Sequence, residues 1–433
     1  MTRLDIDWPD AAAERVRAAR GRLVVAGTAL RAMDLEERLQ AVRRVLEAWT
    51  RPDSAWRRTL AAALPEPTGF HPATVAEGLE SALRAWDPAR FVAAARRELA
   101  CVLDGEGLSL APFDWSVVLA GGAIPMPTLL QSLLPLVLGT PVLLRETARD
   151  PVTGRCLARS LAEVAPSLAK AFESIAVPSG DRHGFDALLE APCVVATGSD
   201  ETMRSLAARI APHQRFVAYG HRFSIGVVGP GPEALAPEAI EGFALDVARW
   251  DQSGCLSPVV LHLVGLEARA RETFAHRLAE ALDALGRQLP RGARSLEESA
   301  LERRERSEAR MRTASGAGLL IEGSDHTVVL EPDPTSRPAP LGRFVRLVPI
   351  ASVAALDAAL RPVSSHLATV AVVGFDAAAD RELMEASSIR AASLVTRPGR
   401  LQTPPIDWPH DGRTLLQPLA RFRQERSSPE RFR

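Results

Sequence analysis

One stretch of the chain joins a nucleophile to the backbone freedom a nucleophile needs: Asp251-Gln252-Ser253-Gly254-Cys255-Leu256-Ser257-Pro258. A thiol reacts as its thiolate, and the oxygen of the carbonyl it attacks becomes negative. Glycine directly before the cysteine lets main-chain amides come close to that oxygen. Cys255 is therefore a candidate nucleophile, with Gln252 and Gly254 as candidate loop elements around it. The same loop also suits a buried structural cysteine, because free cysteine is common in protein interiors. The other three, Cys101, Cys156 and Cys193, make no CxxC pair and no His/Cys spacing of the metal-binding kind. Neither a metal site nor a disulfide framework is expected, and a reducing cytoplasm suits the pattern.

Such a loop has to be presented by the elements around it. It follows a helical pattern near Pro237 to Trp250 and precedes a strand-like run from Val259 to Val264. Upstream, strands are predicted at Trp115–Ala120, Pro141–Arg145, Ser174–Val177, Cys193–Ala196 and Arg215–Tyr219. Helices are predicted between them over Pro127–Leu138, Pro151–Phe172, Gly184–Leu189 and Asp200–Ile210, and the alternation restarts with a strand at Ile225–Val228. Strands alternating with helices predict an α/β fold with a parallel, doubly wound sheet. From Ala11 to Trp115 the chain reads mainly as helix, with apolar residues at three- and four-residue spacing in Met33–Leu39 and Phe91–Leu103. Ser295 and Glu298 form a capping-box pair at the head of the Arg- and Glu-rich run from Arg291 to Arg312. The tail after Thr403 is proline-rich at first and reads as frayed from Arg421.

A chain of 433 residues exceeds the size at which one core stops growing, so two lobes are expected. A net charge of −1 gives no reason to expect a nucleic-acid partner. Residues Ser116 to Leu144 carry no charged side chain and are long enough to cross a bilayer. Gly121, Gly122, Pro125, Pro127, Pro135, Gly139 and Pro141 punctuate that run into strand, loop, helix and strand, the order of a buried α/β unit. No transmembrane segment is expected, and Met1 to Asp10 lacks the order of a signal peptide.

The cysteine octapeptide resembles the catalytic loop of the aldehyde dehydrogenase superfamily. It is most similar to the acyl-CoA reductase branch, typified by the LuxC-type reductases of bacterial bioluminescence. Further stretches fall in that family's order. Ala120-Gly121-Gly122-Ala123-Ile124-Pro125 and Val142-Leu143-Leu144-Arg145 are similar to its loop-helix-strand unit, Ala196-Thr197-Gly198-Ser199 to its glycine-serine cofactor turn, and Tyr219-Gly220-His221-Arg222-Phe223-Ser224 to its hinge strand. The resemblance spans Trp115 to Arg400. It implies an aldehyde-dehydrogenase-like fold in which residues 1–222 hold a helical N-terminal region and a Rossmann-type cofactor-binding domain, to which residues 405–433 return. A second α/β domain, residues 223–404, would carry the nucleophile. The implied reaction is reduction of a fatty acyl-CoA or acyl-carrier thioester to the aldehyde through an acyl group on Cys255, and the family's habit implies a homo-oligomer.

Departures from the family pattern refine this expectation. Where hydrolytic aldehyde dehydrogenases place a glutamate that activates water, the alignment puts Tyr219, which favours reduction of the acyl group over its hydrolysis. His221, two residues on, would share a strand face with Tyr219 by period two and is a candidate proton donor. Gly122 stands where an asparagine oxyanion donor is usual, leaving a backbone amide there to serve instead. Arg145 occupies a cofactor-ribose position, followed by Thr147, Ala148 and Arg149 where an NAD-type pattern has a glutamate. A carboxylate lost and guanidinium groups gained suit a 2'-phosphate, so NADPH is expected over NADH. Gly198 and Ser199 would face the pyrophosphate. Two alternatives stay open: an oxidising aldehyde dehydrogenase, and a weakly active acyl carrier or assembly protein with the same fold.

Overall fold

The computed structural model describes residues 9–104, 107–314 and 316–424. Contacts divide the chain into two compact units. The first holds the described residues up to Thr68, Trp86–Gly220 and those from Arg413, and the second holds Gly69–Ala85 and His221–Gly412.

In the first unit, short strands β1 (Leu108–Leu110) and β14 (Phe422–Gln424) pair antiparallel. The main sheet is built from β2 (Ser116–Leu119), β3 (Val142–Arg145), β4 (Phe172–Ile175), β5 (Cys193–Thr197) and β6 (Arg215–Tyr219). All pair in parallel in the order β4-β3-β2-β5-β6. β2 and β3 are buried at every position, as strands covered on both faces must be. Ala13, Val16, Ala19 and Leu23 of the helix Pro9–Ala32 pack with Trp115, Val117, Leu143 and Val194. Strand order reverses between β2 and β5, which makes the carboxyl ends of these two strands a topological switch point.

The uncharged run Ser116–Leu144 is resolved into β2, the helix Pro125–Val137 and β3, and among the described residues no helix is long and apolar enough to cross a membrane. Three predicted helices are interrupted. The run Pro151–Phe172 breaks at Ala165 (φ −139°, ψ 64°), because the ring of Pro166 bars the preceding residue from helical geometry, and β4 then starts at Phe172. The apolar pattern Met33–Leu39 crosses a boundary: Asp34 caps the helix Leu35–Thr50 in a box with Glu37. The pattern Phe91–Leu103 is broken at Leu99. The tail is not frayed from Arg421, which donates to the Ala111 and Pro112 carbonyls, through Phe422–Gln424, which forms β14, whereas residues 425–433 of the frayed stretch expected there lie outside the described residues.

The second unit centres on seven strands: β7 (Phe223–Val228), β8 (Pro258–Val264), β9 (Leu319–Glu322), β10 (Thr327–Leu330), β11 (Phe344–Ile350), β12 (Leu367–Val373) and β13 (Leu394–Thr396). Their order is β13-β12-β7-β8-β11-β10-β9, parallel throughout except for β9 against β10. Helices Pro237–Ala248 and Ala268–Gly286 cover one face through Phe243, Phe274 and Leu278. Ser295 and Glu298 form the capping box of the helix Leu296–Thr313.

The unit boundaries differ from the sequence division in three places, the first being that the main run of the second unit begins at His221 and not at residue 223. Gly69–Ala85 joins the second unit because Gly78 seats the Trp250 indole, which a Cβ at that position would approach to 2.4 Å. The tail joins the first unit from Arg413, where Glu98 accepts hydrogen bonds from the amides of Leu415 (2.8 Å) and Leu416 (2.7 Å).

Candidate active site

At the switch point of the first unit lies a cleft of 560 Å³ lined by Leu119 and Ala120 at the end of β2, Arg145 at the end of β3, and Ala196, Thr197 and Gly198 at the end of β5. A cleft at the carboxyl ends of parallel strands is where open α/β sheets bind nucleotides. Gly121 is required there: a Cβ would come within 2.2 Å of the Thr197 carbonyl oxygen, so only glycine lets the two strand ends meet this closely. Ser199 caps the helix Asp200–Ala207 by accepting from the Thr202 amide (3.2 Å), and the Gly198 amide donates to the Tyr219 carbonyl (3.1 Å). The exposed Ser199 flanks this cleft without lining it.

The cationic residues expected at the cofactor are distributed differently from the sequence reading. Arg145 lines the cleft but is buried, donating to the Val177 carbonyl (2.9 Å) and the Ser179 hydroxyl (2.8 Å) while its guanidinium lies 5.2 Å over the Phe185 ring. Burial moves its pKa down. Thr147 donates to the Gly122 carbonyl (2.9 Å) and accepts from the Asp150 amide (2.8 Å), which shapes the turn after β3. Arg149 is exposed and lies outside the lining. Arg182, which the sequence reading passed over, lines the cleft, is exposed, and has no partner among the described residues. Arg209 lines it too but is paired with Asp186, and Glu201 adds one carboxylate.

The cysteine loop lies at the amino ends of the second unit's parallel strands. After the helix Pro237–Ala248 the chain makes a left-handed turn through three consecutive non-glycine residues, Trp250 (φ 51°), Asp251 (φ 47°) and Gln252 (φ 62°). Each such residue costs on the order of 1–2 kcal/mol, so the turn persists only if its surroundings hold it. Trp250 packs edge-on against Phe70 at 5.5 Å and onto Gly78. Asp251 accepts from Arg343 Nε (2.9 Å) and Nη2 (2.7 Å) and from the Gly292 amide (2.9 Å). The fully buried Gln252 donates to the carbonyls of Pro258 (2.9 Å) and Phe344 (3.1 Å) and accepts from the Phe344 amide (2.9 Å). Arg343 itself closes a second left-handed run, Leu341 (φ 59°), Gly342 (φ 64°) and Arg343 (φ 66°), so two strained turns lock each other.

Past this clamp Cys255 is the exposed member of the four cysteines, and its carbonyl accepts from the Ser224 hydroxyl at 2.7 Å. Thr369 donates to Ser224 in turn (2.7 Å), and both hydroxyl residues are fully buried. Protein crowding and the Asp411 carboxylate push the Cys255 thiol up to about 11, against its own amide, the Arg222 guanidinium and the Leu256 amide, which favour the thiolate. The side chain is nevertheless open to solvent, which limits how far desolvation acts and leaves the Asp411 charge as the durable part. Burial, opposed by Arg159 and aided by the Asp150 charge, pushes Cys156 up to about 11, and burial opposed by Arg215 pushes Cys193 up to about 12.

The hinge corrects one expectation. β6 ends at Tyr219, and Gly220 to Arg222 lie outside any strand, so the period-two argument that placed His221 on the Tyr219 face does not hold. Tyr219 is buried in the first unit with Arg413 over its ring at 5.6 Å. His221 is the exposed first residue of the second unit, its ring 6.3 Å from that of His366. Gly122 is exposed at φ 79° in the first unit, with open space where a Cβ would lie. Among the described residues there is no group of three His, Cys, Asp or Glu side chains able to hold a metal.

Residues 116–422 match the family model described as acyl-CoA reductase (LuxC). The chain is 23% identical over 309 residues to the long-chain acyl-protein thioester reductase of Vibrio harveyi, a match covering 70% of this chain and 62% of that protein. The chain thus matches less than two thirds of that relative's length. Among solved structures it is similar to aldehyde dehydrogenase 21 of Physcomitrella patens in complex with the reaction product succinate, at a TM-score of 0.70 and 13% identity over 95% of this chain and 90% of that one. It is also similar to a methylmalonate-semialdehyde dehydrogenase of Sinorhizobium meliloti complexed with NAD, at a TM-score of 0.70 and 15% identity over 96% and 91% of the two chains. The fold is that of the aldehyde dehydrogenases, as the sequence resemblance implies.

Proposed function

The chain belongs to the acyl-CoA reductase (LuxC) family, and from that premise we propose that it reduces a fatty acyl thioester to the aldehyde through an acyl group carried on Cys255, with NADPH as reductant. The observation that carries the reading is the presentation of Cys255: an exposed thiol just past a doubly clamped strained turn, with its carbonyl held by the Ser224 hydroxyl.

As Sγ attacks the thioester carbonyl, the Cys255 proton leaves, a C–S bond forms and the oxygen becomes negative. Collapse expels the thiolate of coenzyme A or of a carrier, which takes up a proton, and leaves the acyl-enzyme. Bound NADPH would supply hydride to the acyl carbon. Expulsion of the Cys255 sulfur then frees the aldehyde. Tyr219 at the position of a hydrolytic glutamate supports reduction, because a phenol buried under Arg413 is no base for water at neutral pH. In this reading His221 is the residue free of strand geometry that meets the acyl oxygen or the leaving group. The first-unit cleft fits an adenine nucleotide in size and in its place at the strand ends, with Gly198 on its wall and Arg182 as the unengaged cation for a 2'-phosphate.

Mass spectrometry after incubation with dodecanoyl-CoA and no nicotinamide tests the proposal. An acyl adduct on the Cys255 peptide that NADPH discharges as aldehyde is expected, and the Cys255→Ala chain should form none. An adduct on another residue, or none at all, would refute the nucleophile. Discharge as free fatty acid would refute the reduction and favour an acyl-hydrolysing or oxidising enzyme.

A further inference from the structure

Two completely buried hydroxyl groups lie under the cysteine loop, and the reaction described above gives them no part. Ser224 on β7 donates to the Cys255 carbonyl at 2.7 Å and accepts from Thr369 of β12, through the Thr369 hydroxyl at 2.7 Å and its amide at 3.3 Å. A hydroxyl has one proton to give and two lone pairs, so the Ser224 hydroxyl is fully engaged and its proton faces Cys255. The sheet departs from regular register on both sides of this residue. Leu367 pairs with Phe223 and Val370 with Ile225, which leaves Ala368 and Thr369 opposite Ser224 alone; on the other side Ser224 pairs with Pro258 while Ile225 pairs with Val260. Bulges of this kind re-aim side chains. Here the one on β12 brings the hydroxyl and the amide of Thr369 onto a single oxygen.

We propose that Ser224 and Thr369 are positioning residues for acyl transfer: they fix the Cys255–Leu256 peptide so that the Leu256 amide meets the oxygen that turns negative when Cys255 attacks. The inference rests on the reading of Cys255 as the nucleophile. The Ser257 amide donates to the Gly254 carbonyl at 3.0 Å, which closes a four-residue turn with Cys255 and Leu256 at its centre. Neither of these two is left-handed, so the turn is type I. Its central peptide, Cys255–Leu256, is the one whose flip distinguishes type I from type II. That peptide is trans and planar, so a Cys255 carbonyl held inward on Ser224 sends the Leu256 N–H the other way, away from the buried hydroxyls. The amides of Cys255 and Leu256 have no acceptor among the described residues, which leaves two donors beside an exposed thiol. An acyl group bonded to Sγ is tethered to this same residue, so its oxygen comes within reach of both. Donors already aimed at a developing charge stabilise it without reorganising, whereas a peptide free to rotate would turn its own carbonyl oxygen there instead.

The test compares two reactions of Cys255 in the full chain, both read from the mass of the Cys255 peptide. Acylation by dodecanoyl-CoA without nicotinamide puts negative charge on an oxygen, whereas alkylation by iodoacetamide displaces iodide and puts none there. Ser224→Ala should slow saturated acylation by about ten- to a hundredfold, less than deleting a donor outright, because the amide is misaimed and not removed. Its alkylation rate should match the wild type, and the dodecanoyl-CoA concentration for half-maximal acylation should hold. Thr369→Val, which nearly keeps the shape and removes the hydroxyl, should show a smaller loss of the same kind, and Thr369→Ser should restore most of the rate. Equal losses in both reactions would overturn the proposal, since a loosened loop slows both, and so would acylation that neither Ser224→Ala nor Thr369→Val slows. If Ser224→Ala fails to fold, the contrast between Thr369→Val and Thr369→Ser decides the question. A wild-type Cys255 that takes no acyl group would refute the nucleophile reading beneath the pair, whereas a wild type and variants that acylate alike would refute the pair alone.

Discussion

The strand-end cleft of the first unit and the cysteine loop of the second are built on opposite ends of parallel strands and by opposite means. The cleft is made from the carboxyl ends of β2, β3 and β5, where regular strands stop and one glycine, Gly121, allows two of them to meet. The cysteine loop stands at the amino ends of β7, β8, β11 and β12, and its shape is imposed from outside by two interlocked left-handed turns and by side chains of distant segments. A site formed by strand ends inherits its geometry from the sheet. A site formed by strained turns keeps its geometry only while every clamp holds, so its clamps should be far more sensitive to substitution than any lining residue of the cleft.

The largest expected effect is at Arg343, 1% exposed between Asp251 and Asp325, each 2.7 Å away. Arg343→Met leaves two carboxylates without their cation and should destabilise the second unit by roughly 3–5 kcal/mol, the cost of breaking a buried pair from one side. Urea unfolding followed by tryptophan fluorescence measures it, since Trp250 reports on the clamped turn. A loss below about 1 kcal/mol, the range of an exposed pair, would mean that the turn holds itself and the contrast between the two sites is unfounded.

The second unit also buries a titratable group unrelated to any clamp. His262 on β8 lies on the face of Val260 and Val264, opposite Val227 and Val348 of the neighbouring strands, and neither ring nitrogen has a hydrogen-bond partner. Burial lowers its pKa from 6.5 to about 4. Between these values the unfolded chain binds the proton and the folded one does not, so stability is full above pH 6.5 and falls as the pH drops towards 4, by roughly 3 kcal/mol in all. His262→Val should remove that part of the acid sensitivity while leaving stability at pH 7.5 little lower. Denaturant midpoints at pH 7.5 and 5 for both chains give the comparison; identical pH slopes would contradict it.

Much of this architecture was legible because local chemistry and tertiary structure agree. Alternating apolar runs located every strand of the first sheet to within about two residues, and the Ser295–Glu298 capping box marked its helix, since both signals are local. The octapeptide located the cysteine and its glycine. It carried no sign that Trp250, Asp251 and Gln252 would all be left-handed, because only Asp251 among them is of a type that tolerates positive φ and the cause lies about ninety residues away at Arg343 and Phe344. The helix Pro72–Ala85 looked like part of the N-terminal helical region because its ties to the second unit, a glycine fitted to the Trp250 indole and the Glu77–Arg249 pair at 2.9 Å, are contacts with no period. His221 was misplaced by extending strand periodicity past the point where β6 ends. Arg145 was legible as a residue at a strand end, but its engagement with Val177 and Ser179 depends on the fold of a segment thirty-odd residues on.

The cleft offers the mildest perturbation and therefore the sharpest control. Arg182 lines it, is exposed, and holds no other group, so removing its charge disturbs no fold. Arg182→Gln should leave unfolding unchanged within about 0.5 kcal/mol, as exposed substitutions do. If it meets a 2'-phosphate, the loss of a charge-assisted contact of about 1.5–3 kcal/mol should raise the KM for NADPH on the order of tenfold or more while the KM for NADH hardly moves. Arg149→Gln, outside the lining, is the matched control and should change neither. Steady-state reduction of dodecanoyl-CoA with each cofactor reads all three. Equal losses with NADPH and NADH would assign Arg182 to the shared part of the two cofactors, and a loss confined to Arg149→Gln would return the 2'-phosphate to the turn after β3, away from the cleft that the strand ends define.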